Sequence, residues 1–423
     1  MTELLLAATS LDVTPPPGHR LDGYAARLGV STGTADPLRA TLIWLSTEDD
    51  PGVLWLTLDA IAAGSALSHE LALAAGAAAG IPPSHVVVSA SHTHSGPSGW
   101  TGEIHPVIPA ARERDLVDAL VSSVRSAQLE RQPVTASWRS VEVIGVGTNR
   151  HRRNGPHDNT AGILALHSRS GSLEAVLLDF ACHPTTYGPE NMQYSADWPG
   201  AARAALAPAV VGFLQGAAGD VSPRFTRQGR GAGEVTRLGG LLASRVREAL
   251  AAPGLELPQS APVIRRTTLT LPVRNIPPAD ESEKLVSAVE KVVTASGPRG
   301  TTEAGIDDPS GRISQTRLDG ARGQALMAAA TLPPALDLPV SAVTMGDVCW
   351  INLPVELFAV HGACLQHDST HPITRVIGYT DGYYGYVVDP SAAEAGTYEA
   401  LITFFDQPTT NKLLTDTATF VNM

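Results

Sequence analysis

Two histidines stand two residues apart in Ser91-His92-Thr93-His94-Ser95-Gly96-Pro97, directly after the apolar run VVVSA. If the strand geometry persists, side chains at i and i+2 share a face, so two imidazoles can converge on one ligand, on a metal ion or on its water. A His-x-His is also a common surface or core coincidence. What gives this one weight is its position where a strand leaves the sheet, a frequent place for active sites. A second strand, AVLLDFA, delivers His183 in Asp179-Phe180-Ala181-Cys182-His183-Pro184-Thr185-Thr186, where Pro184 holds the histidine extended and a plain turn residue is equally compatible. Ser222 follows a glycine-bearing turn in LQGAAGDVSPR, whose N–H groups and hydroxyl could face an oxyanion, although such turns are ubiquitous. Glu356 lies inside the apolar run LPVELF, where a carboxylate needs a cation or strong hydrogen bonds. Five of the eight tyrosines crowd between Tyr379 and Tyr398, as a binding rim or as a packed cluster.

Several common chemistries are absent. No Gly-Lys-Ser/Thr follows the turn before Ser222, and no G-x-S-x-G surrounds it, which argues against a nucleotide loop and an α/β-hydrolase elbow. His69-Glu70 has Leu73 where a zincin helix needs its second histidine. Cys182, Cys349 and Cys364 form no C-x-x-C and are odd in number, so they read as buried small hydrophobes.

The elements that must carry these residues alternate. Short apolar runs at 40–46, 53–58, 86–89, 175–180 and 210–214 are separated by segments of helical period, predicting an α/β fold with mixed β-sheets flanked by helices. Helices are expected over 70–79, 112–130 and 234–251, one or two strands over 257–276, a helix over 280–295 and a polar loop over 296–319. No repeat or linker divides the chain, so 1–423 reads as a single domain.

Composition narrows the partners. Thirty Lys and Arg against 42 Asp and Glu leave a net charge of −12, which repels a phosphate backbone, so nucleic acid is not expected. The longest apolar stretch, 71–81, is far short of the roughly 20 residues that span a bilayer. The N-terminus has an acidic residue at position 3 and no basic region, which predicts a cytoplasmic protein without a signal peptide.

Taken together, SHTHSGP, CHPTT, SADWPG, LQGAAGDVSPR, LPVELF and GYTDGYYGYV…GTYE, in this order and at these separations, resemble the neutral ceramidase family. So do Leu11–Pro16, Leu21–Tyr24 and Asp36–Leu38 near the start. The resemblance covers nearly the whole chain and is weakest between about Gln259 and Leu338. It implies a Zn²⁺-dependent amidohydrolase that cuts an N-acyl amide, as that family cuts ceramide. By motif, His92, His183, Glu356 and Tyr398 match the zinc ligands, His94 a proton-transfer histidine, Ser222 a nucleophile or orienting group, and Arg150 an arginine near the carbonyl. Asp197 and Asp220 are candidates to orient imidazole N–H groups, with turn capping as the alternative. Tyr383, Tyr384, Trp100 and the 150–158 loop are expected to flank the substrate pocket.

The chain departs from the family pattern in three ways. It is expected to be without the C-terminal immunoglobulin-like domain and the secretion signal of the full ceramidases. Val355 stands where Gly usually precedes the glutamate, and Arg224 replaces an Asn after Ser-Pro. His151, Arg152 and Arg153 add a basic cluster beside Arg150, either selecting an anionic group or forming a solvated loop. The expected substrate is therefore a small or lipid-like N-acyl compound. The alternatives are an ester or a small biosynthetic metabolite as substrate, a metal-free Ser222 hydrolase, and a catalytically silent binding protein.

Overall fold

The computed structural model describes residues 3–101, 111–295 and 309–423, with only the backbone given for 309–313. Its architecture is mixed α/β. The larger sheet orders its strands Val210–Gln215, Leu173–Phe180, Thr160–Ser168, Gln132–Glu142, Leu5–Asp12, Arg39–Ser46, Val53–Leu58 and Val86–Ala90, with Leu255–Glu256 added beside Gln132–Glu142. Val210–Gln215 is parallel to Leu173–Phe180, and Val53–Leu58 to Val86–Ala90, while the pairings between them are antiparallel. The parallel strands are buried along almost their whole length, which is why VLWLTL and VVVSA read as unbroken apolar runs. The sheet curls so that Val210–Gln215 packs across the far strands: a Cβ on Gly212 would lie 3.1 Å from Ile43 and 3.5 Å from Thr57.

A second sheet orders Val263–Pro272, Ala335–Met345, Val348–Asn352 and Ile373–Ile377. Trp350 joins it to the first, its ring 6.0 Å from Trp55 and 5.5 Å from Trp138 in one buried cluster. Arg375 crosses the same boundary, donating to Asp179 at 2.7 Å and to the Thr160 carbonyl at 2.7 Å.

The expected helices form with shifted ends, at Ser65–Ala79, Arg114–Arg125, Ala232–Leu250 and Ala279–Ala295. The region 257–276 holds the strand Val263–Pro272. The expected loop over 296–319 is corrected from residue 309 onward, because Pro309–Ala329 is a helix; 296–308 lie outside the described residues. Three glycines in its sequence, each costing about 1 kcal/mol in a helix, hide it from propensity. It packs on Ala279–Ala295 and on the short helix Tyr398–Ile402 instead. Cys182 and Cys349 are buried as expected, but Cys364 is exposed on the helix Ala359–Asp368. Among the described residues no helix is long and apolar enough to cross a membrane.

Candidate active site

His92 and His94 do converge, but not by strand alternation. The strand ends at Ala90, and His92 takes a left-handed backbone, φ 65°, a region that non-glycine residues seldom occupy. The two rings meet edge-on at 5.0 Å, with Nε2 atoms 3.4 Å apart. Room for this turn comes from Gly23: with φ +101° and His94 Cβ only 2.4 Å from where its own Cβ would stand, no other residue fits.

His183 enters from the end of Leu173–Phe180, and its Nε2 lies 3.2 Å from that of His92. Glu356 arrives from the segment after Val348–Asn352, and its Oε2 is 3.2 Å from each of those nitrogens. The three atoms form an equilateral triangle. All three residues are at most 1% exposed.

The other ring nitrogens fix the tautomers. His92 Nδ1 faces the Ile61 carbonyl at 2.6 Å and His183 Nδ1 the Ala218 carbonyl at 2.7 Å, so each Nδ1 must carry the proton. Burial and the Arg150 charge push the His183 pKa down to about 4, leaving it neutral at pH 7. Two imidazole lone pairs and a carboxylate oxygen thus face one another at 3.2 Å, an arrangement that repels unless a proton or a cation sits among them. Tetrahedral zinc with bonds of about 2.0–2.1 Å separates its donors by roughly 3.3 Å, so the residues present fit such an ion. His92, His94 and His183 also bring one ligand atom each within 4.8 Å of one another.

Two tyrosines hold the carboxylate. Tyr383 donates to Glu356 Oε1 and Tyr379 to Oε2 at 3.2 Å, leaving Oε2 turned to the histidines. Tyr383 is therefore a buried anchor for Glu356 rather than an open pocket wall. Trp100 is likewise buried, within the core around Leu58 and Leu67, and Tyr384 bonds Ser65 and the Asp337 carbonyl. Val355, in the place of a glycine, is buried in one apolar cluster with Leu357, Phe358 and Ile351 of the second sheet.

Arg150 directly follows the two-residue strand Thr148–Asn149, which pairs with Val221–Ser222. Its Nη1 lies 3.1 Å from His183 Nε2, its Nε donates to Glu399 at 2.7 Å, and its Nη2 reaches the Tyr386 hydroxyl at 3.3 Å. Arg224 helps seat it by donating to the Arg150 carbonyl at 2.7 Å. Against the effect of burial, Arg150 and His151 hold the Glu399 carboxyl well below its ordinary value. Glu399 was not among the residues expected from sequence, although it directly follows Tyr398 in GTYE.

Tyr398 is half-buried and packs edge-on against Tyr386 at 6.0 Å. Ser222 accepts from Arg224 N at 3.3 Å as the cap of a short turn, and among the described residues no imidazole or carboxylate hydrogen-bonds its hydroxyl. Among the described residues Asp197 and Asp220 hydrogen-bond no imidazole: Asp197 accepts from Thr186 N and Trp198 N, and Asp220 from Ala359 N and Asn149. Capping is the role the structure gives both. A cavity of about 490 Å³, lined by Asp36, Arg39, Tyr187 and Arg203 among others, contains none of the clustered residues.

The mixed α/β architecture, a large mixed sheet flanked by helices, is the fold of the neutral ceramidases. The chain superposes on the neutral ceramidase of Pseudomonas aeruginosa with a TM-score of 0.74 and 16% identity, covering 99% of this chain and 74% of that one. It matches a ceramidase complexed with C2 at a TM-score of 0.73 and 17% identity, over 99% and 75% of the two chains. No protein-family model and no curated protein sequence matches the chain.

Proposed function

We propose that this protein is a zinc-dependent hydrolase that cleaves the N-acyl amide bond of a small or lipid-like substrate. The observation that carries the reading is the triangle of His92 Nε2, His183 Nε2 and Glu356 Oε2, 3.2 Å on each side with both Nδ1 protons committed elsewhere. The fold it shares with ceramidases supports the same reaction class.

His92, His183 and Glu356 would hold the ion, with Tyr398 as a further ligand by resemblance to the family motif. Zinc in such a site lowers the pKa of a bound water toward neutrality and polarises a carbonyl. His94, kept neutral by burial and by the neighbouring His92 and His183, takes the proton of the attacking water at Nε2 as the water oxygen bonds to the carbonyl carbon. The same proton passes to the nitrogen as the C–N bond breaks, giving a carboxylic acid and an amine. Arg150 Nη1, permanently charged beside the cluster, donates to the carbonyl oxygen as negative charge develops there, with Ser222 as an orienting or oxyanion-stabilising hydroxyl by resemblance.

Elemental analysis of the purified protein, with His92→Ala and His183→Ala beside it, tests this first, followed by product analysis on a panel of N-acyl amides. The expected result is about one zinc per chain, lost in both variants together with amide hydrolysis. A wild-type protein that neither carries zinc nor takes it up would sink the reading.

A further inference from the structure

We infer that Gln215 is a positioning residue for the metal site, its single side-chain amide setting the separation of the two histidine-bearing strand ends. The inference rests on the reading that His92, His183 and Glu356 hold a divalent ion.

Gln215 closes the strand Val210–Gln215 and is wholly buried. Its Nε2 donates to the Ser91 carbonyl at 3.0 Å and to the Cys182 carbonyl at 2.8 Å, and its Oε1 accepts from Cys182 N at 2.9 Å. Ser91 immediately precedes His92, and Cys182 immediately precedes His183. One amide therefore spans the two peptide units from which the imidazoles depart. The main chain of Gln215 adds a third tie, its carbonyl accepting from Gly378 N at 2.9 Å, next to the Tyr379 that donates to Glu356. The segments of His92 and His183, and the one whose Tyr379 holds Glu356, therefore meet on this residue.

The chemistry admits no substitute of similar size. A primary amide offers two N–H donors and one carbonyl acceptor, and all three are used here. The reversed amide would set its NH₂ against the Cys182 N–H and its oxygen against two carbonyls, so the network fixes its orientation. Glutamate keeps the acceptor but turns both donations into repulsions; methionine keeps the volume and makes none of the three bonds. Close packing allows no slack nearby, since a Cβ on the following Gly216 would stand 2.9 Å from Ala181 Cβ.

The test uses full-length wild type, Gln215→Met and Gln215→Glu, stripped by a chelator and titrated with cobalt(II), with folding checked by circular dichroism. The readouts are cobalt affinity in competition with a chelator and the visible absorption band of the bound ion, which reports donor geometry. The expected result is wild-type binding, and binding about 10- to 100-fold weaker with an altered band in the variants. If Gln215→Met does not fold, Gln215→Glu, which retains the Cys182 bond, decides the matter. Folded variants that bind within about two-fold of wild type, with the same band, overturn the role of Gln215 and leave the metal reading intact. Failure of the wild type to bind either cobalt or zinc overturns both.

Discussion

The ring of Tyr379 lies 4.2 Å from that of His92, and both residues hold left-handed backbones, φ 55° and 65°. Each such residue costs on the order of 1–3 kcal/mol, so the surrounding structure over-determines this pair. The packing places the Tyr379 hydroxyl on Glu356 and the His92 Nε2 beside it. Tyr379→Phe keeps the ring stack and loses the hydroxyl; Tyr383→Phe loses the bond to the other carboxylate oxygen. Both variants should fold, with zinc affinity about 10-fold weaker, read by chelator competition. Unchanged affinity in both would show that Glu356 needs neither hydroxyl.

Glu399 holds Arg150 from 249 residues away. Replacing it with Gln leaves a buried guanidinium without its counter-charge, so the protein should lose about 3 kcal/mol of stability. Turnover should fall about 100-fold as Arg150 shifts from His183, while zinc content stays at the wild-type level. Metal analysis beside kcat separates this from a ligand defect, and a variant with lost zinc would count against the assignment.

At Gly320 the usual helix rule should reverse. Gly→Ala within a helix ordinarily stabilises by up to about 1 kcal/mol. Here the new Cβ would stand 2.9 Å from Tyr398 Cα, and overpacking of that kind costs about 1–3 kcal/mol. Denaturant unfolding of Gly320→Ala should show a loss of stability; a gain would mean that the helix Pro309–Ala329 does not press on Tyr398–Ile402 as described.

Asp36 offers a pH test away from the cluster. Burial lifts its carboxyl from 3.8 to about 6, against the hydrogen bonds from Ser195 and Ala196 N. Below about pH 4 both the folded and the unfolded chain carry the proton. Between about pH 4 and 6 the unfolded chain releases it while the folded chain keeps it, so this group's contribution to stability drains away and is lost above about 6. Asp36→Asn, equal in size, should match wild type near pH 4 and exceed it by on the order of 1 kcal/mol at pH 7. Parallel stability curves from pH 4 to 7 would contradict the shift.

Much of the site was legible because strand ends are legible. VVVSA and AVLLDFA announce buried strands, and a histidine just beyond each has few places to go. Glu356 stood out as a carboxylate in an apolar run. What the sequence hid was of two kinds. The backbone of His92 carries no local signal, since nothing in SHTHSGP separates a left-handed histidine from an extended one. Partnerships across long separations were equally silent: Gln215 bonds Ser91 across 124 residues, and only the folded chain brings Glu399 to Arg150. The helix Pro309–Ala329 was missed because its stability comes from the surfaces it lies on rather than from its own residues.

Trp350, packed between Trp55 and Trp138, ties the two sheets together in one buried cluster. His92 and His183 depart from the first sheet, and Glu356 follows directly on the second. The triangle is thus stretched across a welded seam, and any parting of the sheets lengthens two of its sides at once. Heat should therefore inactivate the protein only where it melts it, with the loss of activity and of structure falling on one curve.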